Sequence, residues 1–332
     1  MKELKKQWKN NEFAPCYLFY GDETYLIKNY EKALTEAILP AGAEMMNYDL
    51  LEEKKITAAT VMDIAETFPF MNEKRLLVLH GSDFFKKGGR KEEGERLLSF
   101  FQNLPETTCI LFVEEKIEKN SRLYKAIVKA GQVMEFKQPT EKELATWVKR
   151  QCKQGGVGIA DGVLQMFLRT VGFDMETIES ELQKVIAYKD GSGEVSVADV
   201  QAVCSPSLEA RVFDLVRAVA EQKPEQAVKI YHDLILLKES PYMVLSLITR
   251  QFRLILESSL LMEAGKSGPE IVSKLEIRDF ALKEYLRQAK RFPAEVWKQA
   301  LRDCLKADMD IKSGFMGEET AVELLIVKYA RK

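Results

Sequence analysis

A chain of 332 residues and 38.0 kDa is too long for one ordinary domain, and two or three are expected. Hydrophobic residues make up 46% and charged residues 30%, and 49 Lys and Arg against 51 Asp and Glu leave a net charge of −2, so no bulk basic field gathers nucleic acid or anionic lipid. No apolar run approaches the roughly 18 residues that a membrane span needs, and the opening MKELKKQWKNN is charged and lacks the apolar stretch of a secretory signal, so neither a membrane nor a secreted class is expected.

Residues 1–139 alternate strand and helix signals. Tyr17–Tyr20 is a short apolar run closed by Gly21-Asp22, and a helical pattern follows over 24–38. Met46–Leu51 reads as a second strand, and 57–67 as a helix that Thr57 or Thr60 can cap. Arg75–Leu79 is the third strand, followed by a polar loop over Phe84–Lys91 and a helix near 93–103. Cys109–Val113, a helix over 123–130, and Val133–Phe136 complete the pattern. Strands separated by helices of about ten residues imply a parallel sheet covered on both faces, so the class is α/β.

Such sheets often hold nucleotides, through glycines that let backbone N–H groups wrap phosphate, a lysine on the outer phosphates and a Ser or Thr on magnesium. The first strand instead leads into Gly21-Asp-Glu-Thr-Tyr-Leu-Ile-Lys28, without the second glycine or the Lys-Ser/Thr pair, and with two acids that repel phosphate. Glu114-Glu115, at the end of the fourth strand, resembles a magnesium-and-water acidic pair. Without a phosphate cradle it reads as two exposed acids beginning a loop. Gly155-Gly-Val-Gly158 reads as a turn between helices. The nucleotide site is degenerate.

Five cysteines, at 16, 109, 152, 204 and 304, show no close pair, and Cys16 and Cys109 fall in apolar runs as small core residues. With two histidines, His80 and His232, and no further ligand spaced near either, no metal site is expected. No catalytic residue or cofactor is expected either, and unpaired cysteines suit a reducing, cytoplasmic location.

One stretch is unusual. Pro69 stops a helix, and Phe68, Phe70 and Met71 then place large apolar side chains where a loop is expected to be polar. Either these residues fold back onto the core, or they form a preorganised wedge for a partner's pocket.

From Thr140 the strand signals largely stop. Helical spacing over 141–153, 160–170, 175–188 and 198–203 makes a small helical domain of 140–208, with Leu144, Trp147 and Val148 as a core stripe. Thr140 and Glu143 have capping-box spacing. After Ser205-Pro-Ser207, helices are expected over 210–221, 224–238, 241–264, 268–274, 279–289, 294–313 and 318–330. Arg250, Arg253, Arg287, Lys290 and Arg291 read as solvated helix faces rather than phosphate contacts. An all-helical tail suits oligomerisation more than chemistry.

Taken in order, several segments resemble the delta-subunit family of the bacterial DNA polymerase III clamp loader. Tyr17-Leu-Phe-Tyr-Gly-Asp-Glu23 resembles its opening strand and turn, which stand where ATPase relatives carry a phosphate loop. Phe68-Pro-Phe-Met-Asn-Glu-Lys-Arg-Leu-Leu-Val78 is similar to its clamp-binding element and following strand, and Val171-Gly-Phe-Asp-Met-Glu-Thr-Ile-Glu-Ser-Glu-Leu-Gln-Lys-Val185 to its middle-domain helix pair. Phe213-Asp-Leu-Val-Arg-Ala218, Ile248-Thr-Arg-Gln-Phe-Arg253 and Ala307-Asp-Met-Asp-Ile-Lys-Ser-Gly314 resemble segments of its helical collar.

The resemblance implies three domains: an AAA+-like α/β domain (1–139), a lid-like helical domain (140–208) and a C-terminal collar (209–332) that joins five subunits. It implies a subunit that hydrolyses no ATP itself, binds the ring-shaped sliding clamp (the beta subunit) and opens one interface, so that the ring can be loaded on primed DNA. The ATPase and delta-prime subunits are the implied collar partners, and polymerase activity belongs to the holoenzyme. The two positions that enter the clamp's pocket fall on Phe70 and Met71, flanked by Phe68 and Pro69. Some relatives carry Leu-Phe there. The alternatives are another non-catalytic subunit of the loader, delta-prime-like, or a helical adaptor in a DNA-maintenance complex.

Overall fold

The structure is a computed structural model that describes residues 2–52, 56–86 and 91–331. Two compact units are present, residues 1–140 and 141–332.

In the first unit the elements run α1 (Lys2–Lys9), β1 (Cys16–Gly21), α2 (Thr24–Ile38), α3 (Glu44–Asn47), β2 (Tyr48–Leu51), α4 (Ala58–Ala65) and β3 (Arg75–His80). They continue with α5 (Lys91–Phe100), β4 (Thr108–Glu114), α6 (Arg122–Ala130) and β5 (Gln132–Phe136). The five strands form one parallel sheet in the order β2-β3-β4-β1-β5. Each central strand is buried on both faces, which is why it reads as an unbroken apolar run. Cys16, Leu18, Tyr20, Leu77 and Phe112 pack with Val61, Leu97 and Ile127 of α4, α5 and α6. Tyr17, Phe19, Val78 and Leu111 pack with Leu4 and Trp8 of α1 and Ile27, Tyr30 and Leu34 of α2. The α/β architecture is as the sequence implies.

Three local readings change. The charged opening forms α1, and its Trp8 indole donates to the Tyr17 hydroxyl at 3.1 Å. Met46 and Asn47 are helical rather than extended, because the Asn47 side chain turns back to the Ala43 carbonyl at 3.0 Å and the strand starts only at Tyr48. In the predicted polar loop Phe84 and Phe85 are buried, while 87–90 lie outside the described residues.

The second unit begins with α7 (Glu141–Gln154), β6 (Gly158–Ile159), α8 (Asp161–Val171), α9 (Met175–Tyr188), β7 (Glu194–Val195) and α10 (Val197–Val203). The sequence reading missed the two-residue ladder between β6 and β7, into which Gly158 leads from the glycine turn. Leu144 and Val148 are buried but Trp147 only half so. Then come α11 (Leu208–Ala220), α12 (Pro224–Leu236), α13 (Pro241–Glu263), α14 (Gly268–Leu275), α15 (Asp279–Ala289), α16 (Ala294–Lys312) and α17 (Glu318–Ala330). These share a core that runs from Val212 to Ala330 and includes Phe252, Trp297 and Tyr329. Arg250, Arg253, Arg287, Lys290 and Arg291 are all exposed, and Arg287 pairs with Glu284 and Glu221.

The Ser-Pro-Ser break before α11 is pinned. Ser207 N–H donates to the Thr170 carbonyl at 2.9 Å and Ser205 N–H to the Glu181 carboxylate at 3.1 Å. Alongside, Phe173 stacks on Phe280 with ring centres 5.7 Å apart, and the guanidinium groups of Arg278 and Arg169 cover the two rings. Stacked cation–π contacts of this kind join α8 to α15 across the break.

Candidate functional site

Phe68, Phe70 and Met71 do not fold back onto the core. They lie on the turn between α4 and β3 with exposures of 82%, 56% and 92%. Several bonds hold that turn. The fully buried Asn47 side chain brackets one residue, accepting from Phe70 N–H at 2.6 Å and donating to the Phe70 carbonyl at 2.9 Å. Upstream, the buried Arg75 guanidinium donates to the Thr67 carbonyl at 3.0 Å and pairs with Asp49 of β2. Downstream, the Asn72 amide donates to the Lys74 carbonyl at 2.5 Å. Met71 itself has φ +50°, a left-handed conformation that a non-glycine residue adopts at a cost of roughly 1–2 kcal/mol. A strained backbone braced on both sides holds these apolar side chains in water rather than in the interior of this unit.

The sequence reading missed Asn47 and Arg75 because their partners are distant in the chain. An open cavity of about 410 Å³ is lined by residues that include Glu31, Lys32, Glu44, Tyr48 and His80. His80 Nε2 lies 3.0 Å from Glu31, which holds the imidazole above its ordinary range against the opposing effect of burial. This pair ties α2 to β3 beside α3.

At the carboxyl end of β1, where a nucleotide-binding sheet would cradle phosphate, the turn is shaped by strand packing. Gly21 has φ +134°, and a Cβ there would meet the Phe136 carbonyl oxygen at 2.0 Å. Asp22 is exposed, and Glu23 is buried at the N-cap of α2. A helix N-terminus attracts anions, but acids in this place oppose a phosphate.

The paired acids at the end of β4 differ from expectation. Glu115 is exposed, but Glu114 is buried, because Ser82, 32 residues away, donates to Glu114 Oε1 through both its N–H (2.9 Å) and its hydroxyl. Burial pushes the Glu114 carboxyl above its ordinary range, against the two Ser82 bonds, and Oε2 has no hydrogen-bond partner. A raised folded-state value means that the group's contribution to stability is full below the unfolded carboxylate range and is lost as pH rises through the raised value. Glu114→Gln stays neutral, so it is expected to gain stability relative to the parent chain as pH is raised from about 5 to about 8, measured by denaturant melts at each pH. Among the described residues no group of three or more His, Cys, Asp and Glu side chains is placed to hold a metal ion, and no helix is long and apolar enough to cross a membrane.

Comparison with known proteins bears on both units. Residues 17–137 match the family described as DNA polymerase III, delta subunit, and residues 209–329 match its C-terminal domain. The chain belongs to the delta-subunit family of DNA polymerase III. The DNA polymerase III subunit delta of Bacillus subtilis (strain 168) is 26% identical to this delta-family chain over 336 residues, covering 99% of this chain and 97% of that protein. The probable DNA polymerase III subunit delta of Aquifex aeolicus (strain VF5) is 22% identical over 272 residues, covering 80% and 77%. Among solved structures, the Bacillus subtilis DNA clamp loader delta protein (YqeN) matches with a TM-score of 0.72 at 25% identity, covering 100% of this chain and 99% of that one. This delta-family chain therefore shares its relative's fold along its whole length.

Proposed function

We propose that this chain is the clamp-opening subunit of a bacterial clamp loader: it inserts Phe70 and Met71 into the sliding clamp and holds one ring interface open for loading on primed DNA. The observation that carries this reading is the exposed turn of Phe68, Pro69, Phe70 and Met71, held by Asn47 and Arg75 in a family whose relative is a clamp loader delta protein. The mechanism is differential binding. A wedge that fits the clamp better when one interface is distorted biases the ring toward its open form by that difference in affinity. Two buried anchors at roughly 2 kcal/mol each set the upper bound of that bias at about 4 kcal/mol.

In this reading the α/β domain of 1–139 carries the wedge, and the helices of 140–208 and 209–332 are the lid-like connector and the collar that meets the ATPase and delta-prime subunits. The chain hydrolyses no ATP, which the acidic turn at Asp22-Glu23 supports, and works in the cytoplasm as a part of the polymerase holoenzyme without catalysing nucleotide transfer itself. The test is binding of the purified chain to the sliding clamp of the same organism without nucleotide. Binding is expected. No binding, alone or with the other loader subunits present, overturns the proposal.

Asn47 supplies a second test. Asn47→Ala leaves Phe70 and Met71 in place but frees the turn, so part of the binding energy goes into ordering it. Clamp affinity is expected to fall about five- to thirtyfold, with faster hydrogen exchange at the Phe70 amide; unchanged affinity removes Asn47 from the account.

A further inference from the structure

Seven large apolar side chains are exposed among the described residues of the first unit: Met45, Met46, Leu50, Phe68, Phe70, Met71 and Val128. Six of them fall on two neighbouring segments, α3 with β2, and the turn after α4. Only Val128, on α6, lies elsewhere. Scattered exposed apolar residues need no explanation, but a concentration of this kind marks a contact surface. The two segments are stitched together directly, since Asn47, the last residue of α3, hydrogen-bonds both backbone groups of Phe70. Met45 and Met46, 92% and 62% exposed, immediately precede it on a turn of helix with a buried end.

Area makes the same point. A specific protein–protein contact buries about 800 Å² on each partner. Phe68, Phe70 and Met71 together offer roughly 500 Å² even if every side chain is fully covered. The remainder of such a contact is drawn from the surface around the wedge, polar rim included, and the exposed apolar part of that surface is Met45 and Met46 of α3 with Leu50 of β2.

We infer that Met45 and Met46 form a second contact with the sliding clamp, packing on the rim of the pocket that the wedge enters. This inference rests on the clamp-binding reading above. Methionine suits the role because its unbranched, polarisable side chain adapts to a curved rim, while the aromatic anchor fills the pocket. The Asn47 bonds give the surface a fixed geometry, so wedge and rim contact are presented as one body.

The test measures clamp binding, with melting curves alongside, for the parent chain, Met45→Gln/Met46→Gln, Phe70→Ala/Met71→Ala and, as a remote control, Val128→Gln. The α3 pair is expected to weaken binding about tenfold or more, with unchanged melting, while V128Q binds as the parent does. Parent-like binding by the α3 variant, with binding lost in the wedge variant, overturns the inference and leaves the wedge reading standing. Equal losses in the α3 variant and V128Q overturn it as non-specific stickiness. No binding by the parent chain removes both.

Discussion

Replacing Phe70 and Met71 together by alanine is expected to weaken clamp binding at least about a hundredfold while leaving the melting curve within a degree or so of the parent's. The two halves of that result have separate causes. Affinity is lost because a contact hot spot draws its energy from large side chains desolvated in a pocket, and alanine leaves that pocket empty. Stability is kept because both side chains are already in water in the folded chain, with 56% and 92% exposure, and the bonds that hold the turn go to the Phe70 backbone, which alanine retains. Any change at Met71 is small, since alanine meets the same left-handed strain at φ +50°. Assembly with the other loader subunits through the C-terminal helices is expected to persist. A folded double variant that binds the clamp normally would sink the wedge assignment.

The sheet and helices were largely legible because their signals are local. Runs such as Leu76–Leu79 and Ile110–Phe112 are apolar at every position since both faces of the parallel sheet are covered. One helix start follows from its cap, Thr57, whose side chain accepts from Thr60 N–H, whereas Ser207 and Ser240 also cap their helices without having been singled out for it. What stayed hidden depends on partners far along the chain. Met46-Asn47 looks like the start of a strand until Asn47 finds Phe70, 23 residues on. Glu114 looks like a loop acid until Ser82 covers it. Residue pattern singled out Phe68–Met71 but left two readings open, since an apolar run in a loop looks alike whether it folds inward or out. Resemblance chose between them, and the exposure of the side chains agrees with the outward reading.

Gly21→Ala is expected to destabilise the α/β unit by roughly 3 kcal/mol or more, a drop of about 10 °C in its melting temperature. The position matters because a glycine at the end of the first strand invites a phosphate-loop interpretation. Its geometry gives a different reason. Gly21 pairs in register with Phe136, and an added Cβ meets that residue's carbonyl oxygen at 2.0 Å, its carbon at 2.7 Å and its nitrogen at 3.0 Å. All three are backbone atoms, so no side-chain rotation relieves the contact, and β5 must move away from β1. The φ of +134° adds a strain that L-residues rarely accept. Gly81→Ala is the control. That residue also has positive φ, +62°, but a Cβ there meets nothing within 4 Å, so only the conformational penalty of about 1 kcal/mol applies. The two variants are to be compared by thermal melts with and without ATP. A large loss for G21A that ATP does not alter, beside a small one for G81A, assigns the glycine to strand packing. A parent chain whose melting rises with ATP, with that rise missing in G21A, would restore a nucleotide to this turn.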